Sequence, residues 1–153
     1  MNTPVPISDL TQRPPRSPRV TLGGYANLPR LIDKARAFVT GKLGAYHYAG
    51  KGMDRHFFDF VGLDHEAFAA EAANGAGDGE ILAWVQANAK HPREPWEIAA
   101  WSNYHLHRTP DSDAETATYF IDEVKKFAPQ REDIRTWFDL MDLDDYCSFG
   151  GKP

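Results

Sequence analysis

Apolar positions recur with a helical period over most of the chain. In residues 22–43, Leu28, Leu31, Ile32, Ala35, Phe38 and Val39 fall on one side of a 3.6-residue helix, and Arg30, Asp33, Lys34 and Arg36 take the other. Asn27 is a good N-cap for this helix, and Pro29 sits where a missing N–H costs nothing. The pattern predicts one face in the core and an opposite, charged face open to partners. Further helices are predicted over 54–61, ended by Gly62; over 64–73, capped by Asp64; and over 80–89, capped by Asp78. Three more follow over 96–108, from Ser112 or Asp113 to Phe127, and over 133–143. The 96–108 segment, with Trp96, Ile98, Ala99, Trp101, Ser102 and Leu106, is apolar over much of its circumference and is expected to be the most buried helix. Residues 144–153 read as an irregular tail, and a short extended segment is allowed around Tyr46–Tyr48.

Residues 1–21 lack helical period. Pro4, Pro6, Pro14, Pro15 and Pro18 favour an extended path, and on a three-residue polyproline turn Arg13, Arg16 and Arg19 line one edge. The expected architecture is all-α: a single compact domain of about six or seven helices (22–153) behind an extended Pro/Arg-rich arm (1–21).

With 153 residues, 42% of them hydrophobic, the chain suits one domain with a sizeable core. No apolar run approaches membrane-span length, and residues 1–10 are too polar and proline-rich for a secretion signal. The single cysteine, Cys147, excludes an internal disulfide and a cysteine-based zinc site. A cytoplasmic location is expected. Through Ala45 there are seven basic and two acidic residues, a net of +5, whereas the remainder carries ten basic and twenty acidic, a net of −10. This asymmetry describes a basic arm on an acidic body. The arm is expected to clasp the acidic C-terminal surface through Arg13, Arg16 and Arg19; exchange of arms between two copies would make a homodimer. An outside polyanion is the alternative, and nucleic acid fits it poorly because the acidic body repels phosphate.

Several blocks carry a likeness. RPPRSPRV (13–20), LGGY (22–25), LPR (28–30), DKARA (33–37), GDGEIL (77–82), PWEIAAW (95–101) and TWFDLMDLDDYCSFGGK (136–152) together resemble the bacterial family called domain of unknown function 5069. The resemblance runs from about Leu10 to Lys152. It implies a small, single-domain bacterial protein and brings with it no activity, cofactor or catalytic residue.

Candidate chemistry is sparse. Gly23 and Gly24 precede a helix start that carries Arg30, so free N–H groups, the helix dipole and a guanidinium could hold a small anionic ligand, with Tyr25 and Lys34 completing the pocket. The bland alternative is a tight turn, with Arg30 paired to Asp33 or to the acidic C-terminal region. NGAGDG (74–79) looks like a phosphate loop, but it follows a helix, and Asp78 and Glu80 would repel phosphate. His105 and His107 point about 200° apart on a helix and cannot share an ion. His56 and Asp59 could share a face, with His47 or His65 arriving from elsewhere, but no metal motif appears, and neither a metal nor a cofactor is expected. Asp144 and Asp145 beside Cys147 discourage a thiolate, and the cluster of Asp139, Asp142, Asp144 and Asp145 reads as a solvated helix end or the dock for the arm. If the domain encloses a pocket, Trp101, Tyr104 and His105 are plausible lining residues. The leading reading is a non-catalytic binding or interaction protein; the alternative is a small-molecule enzyme or binder with an anionic ligand at the Gly23–Lys34 helix start. Whether it is an enzyme stays open at this point.

Overall fold

The computed structural model describes residues 8–153, so the part of the arm before Ser8, with Pro4 and Pro6, lies outside the described residues. Within them the chain is a helical domain of seven helices and one two-stranded ribbon. The ribbon pairs β1 (Thr21–Leu22) with β2 (Tyr25–Ala26), Thr21 opposite Ala26 and Leu22 opposite Tyr25. Gly23 and Gly24, at φ 59° and 83°, supply the two left-handed residues that so short a hairpin turn requires. A Cβ on Gly23 would also meet Leu82 Cδ1 at 2.6 Å. The strands therefore lie here, and none forms around Tyr46–Tyr48.

Helix α1 (Leu28–Val39) is the centre of the domain, with eight of its twelve residues buried. Leu28, Leu31, Ile32 and Ala35 face the core as their spacing predicts. Asn27 stands at the cap position, but its side chain does not cap. Its backbone is left-handed, its N–H donates to Pro18 O at 2.9 Å, and its amide is buried without a partner. The charged face of α1 is also not open: Arg30 and Arg36 are buried. Phe38 and Val39, at the far end, are the exposed residues of this helix instead.

Helices α2 (Gly52–Val61), α3 (His65–Ala73) and α4 (Asp78–Asn88) complete the first layer around Phe57, Phe58, Val61, Phe68, Ile81 and Val85. Asp64 caps α3 as predicted, accepting from Ala67 N–H. In α4 the cap is Gly77, whose N–H reaches Glu80, and Asp78 is already inside the helix with its carboxylate turned to the arm. Helix α5 (Pro95–His107) crosses the ribbon, with Ser102 Oγ accepting from Ala26 N–H and donating to Gly24 O. Only Ile98, Ser102 and His105 of its thirteen residues are buried, so α5 is not the most buried helix; α1 is. Trp96 lies out in solvent, while Trp84 and Trp101 pack against the core.

Helices α6 (Ala114–Phe127) and α7 (Trp137–Ser148) form the second layer, joined by the edge-on contact of Phe120 with Trp137. The last helix begins four residues later than its apolar pattern suggests and runs through the supposed tail to Ser148. Thr136 and Asp139 set the start by capping each other's backbone N–H groups, whereas Asp133 is engaged by Arg131. The acidic turn stays helical because two of its inward charges have partners. Asp142 accepts from Ser17 and Arg19, and Asp145 from Arg30 and Tyr46.

Arg30 and Asp145 form a buried, two-pronged pair, with N···O distances of 2.6 and 3.2 Å, and Tyr46 Oη adds a third bond at 2.7 Å. Removing either partner strands a charge in the interior. Arg30→Ala and Asp145→Ala are each expected to lower the urea unfolding free energy by about 3–5 kcal/mol. The double variant should lose less than the sum of the two; strict additivity would show that the pair contributes no coupling.

Candidate functional site

The residues predicted to bind an anion are not brought together. Gly23 and Gly24 form the tip of the ribbon, set off from α1 by β2, and Tyr25 packs edge-on to Phe57 and Trp101. Arg30 is taken by Asp145, and Lys34 Nζ lies 2.7 Å from Asp54, with burial pushing its pKa down. The two cations of the proposed pocket each carry a protein carboxylate.

The arm residues lie on the body, at two different places. Arg16 reaches Asp33 of α1 at 3.1 Å and Asp78 of α4 at 2.6 Å, which holds its charge more firmly than usual. Arg19 pairs with Asp139 and Asp142 of α7. Arg13 lines the cleft between the arm, α1 and α4. These pairs are partly exposed, so each is modest and sensitive to salt. Replacing Arg16 and Arg19 together by Ala is expected to lower the melting temperature in dilute buffer, the gap narrowing at about 0.5 M salt. An unchanged melting temperature would mean that the arm adds nothing to stability.

The strongest chemical constellation lies elsewhere. A cavity of about 280 Å³ opens between α2, the C-terminal end of α5 and α7. Met53, Trp137, Phe138 and Met141 give it apolar walls; His56, His105 and Arg108 bring polar groups to it. Four clefts have larger volumes among the described residues, and the two largest of these, about 550 and 420 Å³, are walled by the ion pairs of Arg16 and Arg19. The smaller cavity instead has polar groups without partners, the pattern expected of a ligand site.

Each side chain is placed by a local rule. The helical period puts His105 on the inner side of α5 with Ile98 and Ser102, and its ring meets Trp101 edge-on at 4.5 Å. His56, distant in sequence but on the facing helix α2, stands 5.2 Å from it, centroid to centroid. Arg108 ends α5, and its carbonyl accepts from Trp137 N–H at 3.1 Å, which ties the end of α5 to the start of α7. Its guanidinium lies 5.9 Å over the Trp137 ring and 3.4 Å from His56 Nε2. A guanidinium only donates, so Nε2 accepts and the proton of neutral His56 is on Nδ1.

Electrostatics keep both rings uncharged. Burial pushes the His105 pKa down to about 4, with the positive fields of His56 and Arg108 adding to it. Burial, then Arg108, also lowers that of His56. His105 Nδ1 and Trp137 Nε1 are buried with no hydrogen-bond partner. No carboxylate lies within ion-pair distance of Arg108 among the described residues. A base as weak as His105 transfers protons poorly near neutrality.

Of the lining residues expected from sequence, His105 is in the cavity wall, Trp101 packs behind it, and Tyr104 is largely exposed. His56 does not share a site with Asp59, which pairs with Arg55; its neighbour is His105. Nothing in the sequence marks Arg108 or Trp137 as site residues, because the end of a helix and an apolar-face tryptophan carry no spacing signal. Among the described residues no cluster of three His, Cys, Asp or Glu side chains could hold a metal ion, and no helix is long and apolar enough to cross a membrane.

Acid should weaken the fold through His105. Above pH 6.5 the ring is neutral in folded and unfolded chains alike. As pH falls from 6.5 towards about 4, the unfolded chain takes up a proton that the folded one refuses. Stability is therefore expected to drop across that window, by roughly 3 kcal/mol from this group. In His105→Phe, urea unfolding measured between pH 7 and 4 should lose much of that drop; an unchanged slope would show that His105 titrates normally.

Comparison with known proteins adds family membership. A family model described as a domain of unknown function, DUF5069, matches residues 12–147. Comparison with curated proteins finds no match.

Proposed function

The chain belongs to the DUF5069 family, and from that premise we propose that it is a non-catalytic binding protein that holds a small organic anion in the cavity between α2, α5 and α7. One observation carries the reading. Arg108, a guanidinium with no carboxylate of its own, stands at an apolar cavity beside two imidazoles kept neutral and a buried indole N–H without a partner. A carboxylate or a similar oxyanion would supply what each lacks: counter-charge for Arg108 and an acceptor for Trp137 Nε1–H. The apolar walls of Met53, Phe138 and Met141 suit a hydrocarbon or aromatic body behind the charged group. The neutral histidines matter as well, since they add hydrogen-bonding capacity without a fixed charge. A cytoplasmic site of action accords with a lone, unpaired Cys147.

Benzoate and its neutral counterpart benzamide probe this directly. In a nitrogen-15 spectrum, benzoate should shift the Trp137 indole N–H resonance saturably, with Trp137→Phe identifying that resonance. Arg108→Gln keeps the backbone bond from its carbonyl to Trp137 and should weaken benzoate binding by about tenfold or more. Benzamide binding as well as benzoate, or no movement of the Trp137 resonance, would overturn the anion site.

A further inference from the structure

The two imidazoles of the cavity are not equivalent. His105 is buried on the inner side of α5, whereas His56, on α2, lines the cavity and is exposed to solvent. A charge on His105 has to be made in the interior. A charge on His56 is made in contact with water and costs far less. Partial burial opposes it, and so does Arg108, whose Nη1 lies 3.4 Å from His56 Nε2. That separation is at the loose end of the hydrogen-bond range, so Arg108 readily exchanges Nε2 for a better acceptor.

The charges facing His56 are few. On α2, Asp59 favours a proton on the ring, but both of its oxygens are held by Arg55 Nε at 3.1 Å. On α5, His105 and Arg108 face it. On α7 the cavity wall is Trp137, Phe138 and Met141, none of them charged. The field at Nε2 is therefore dominated by one guanidinium without a carboxylate of its own. An anion seated beside Arg108 reverses that field. It takes over as acceptor from the guanidinium, and a negative charge within about 4–6 Å of an imidazole favours the protonated ring. Nε2 then changes from acceptor to N–H donor, and the same oxyanion accepts from it.

We propose that His56 is the second ligand-binding residue of the cavity and takes a proton from solvent as the anion arrives, so that the oxyanion is held between the Arg108 guanidinium and a His56 imidazolium. This coupling rests on the cavity being an anion site and adds a dependence on pH to it. Anion and proton enter together, so a chain whose formal net charge is already −5 gains no further negative charge on binding a monoanion. Linkage is reciprocal: what favours the proton favours the anion. Below the His56 pKa of the free protein, which lies under the ordinary 6.5, the proton is already in place and affinity is highest. Affinity falls as pH rises and levels off above the pKa of the complex. The anion is thus taken up on the acid side of neutrality and released on the alkaline side.

Nuclear magnetic resonance of the histidine rings in the full chain tests this, from about pH 5.5 to 8.5, with and without saturating benzoate, which stays ionised like other carboxylates over that range. His56→Gln identifies the His56 signal. Benzoate should raise the His56 midpoint by about one pH unit. Its Kd, read from the Trp137 indole resonance, should be about tenfold weaker at the alkaline end than at the acid end. In His56→Gln the Kd should be the same at both ends. A His56 midpoint that stays put while benzoate still shifts the Trp137 resonance would overturn the proton coupling and leave the anion site standing. A shift of the His105 midpoint instead would overturn the assignment to His56. Benzoate that moves neither the histidines nor Trp137 would remove the anion site, and this inference with it.

Discussion

The buried pair of Arg30 and Asp145 holds the two layers of this domain in one arrangement. A guanidinium and a carboxylate withdrawn from water are tolerable only when each satisfies the other, and here the geometry is two-pronged with a tyrosine hydroxyl in support. That requirement fixes α7 against α1 in rotation as well as position, because a slide of one residue along either helix would break both bonds. Once α7 is placed, Asp139 and Asp142 face the arm, and Arg19 and Ser17 close over them. The start of α7 is then where the end of α5 can reach it, and the cavity is the space left between them and α2. The hydrophobic core accounts for collapse, and this polar contact accounts for which collapsed form is adopted.

The same contact explains why the proposed ligand site lies where it does. A cation in a folded protein is available to a ligand only if the protein has not already neutralised it. Arg30, Lys34, Arg16 and Arg19 all face carboxylates of their own chain, and α1 is consequently a structural helix. Arg108 is left with an imidazole and an indole face as neighbours, neither of which offsets its charge.

Helical periodicity made most of the fold legible. It located six of the seven helices to within a residue or two, since the 3.6-residue spacing of Leu28, Leu31, Ile32 and Ala35, or of Ile81 and Val85, is local information. The misplaced one, α7, depends on whether Asp133 or Thr136 caps and on the neutralisation of Asp139, Asp142 and Asp145 by arginines more than a hundred positions away. Burial of α5 was misjudged because composition says how a helix tolerates water and not whether a neighbour exists to exclude it. The cavity was the least legible feature. His56, His105, Arg108 and Trp137 come from three segments, and nothing in their local spacing announces that they meet.

The ties between the arm and α7 have a bearing on biosynthesis. Ser17 bonds to Asp142, 125 positions later, and Arg30 to Asp145, 115 positions later. A ribosome makes the two partners of each bond more than a hundred positions apart. Until residues 139–145 have left the exit tunnel, Arg30 has no counter-charge and α1 cannot finish burying its polar side. Closure of α1 against α7 therefore waits on a segment made 115 positions after Arg30.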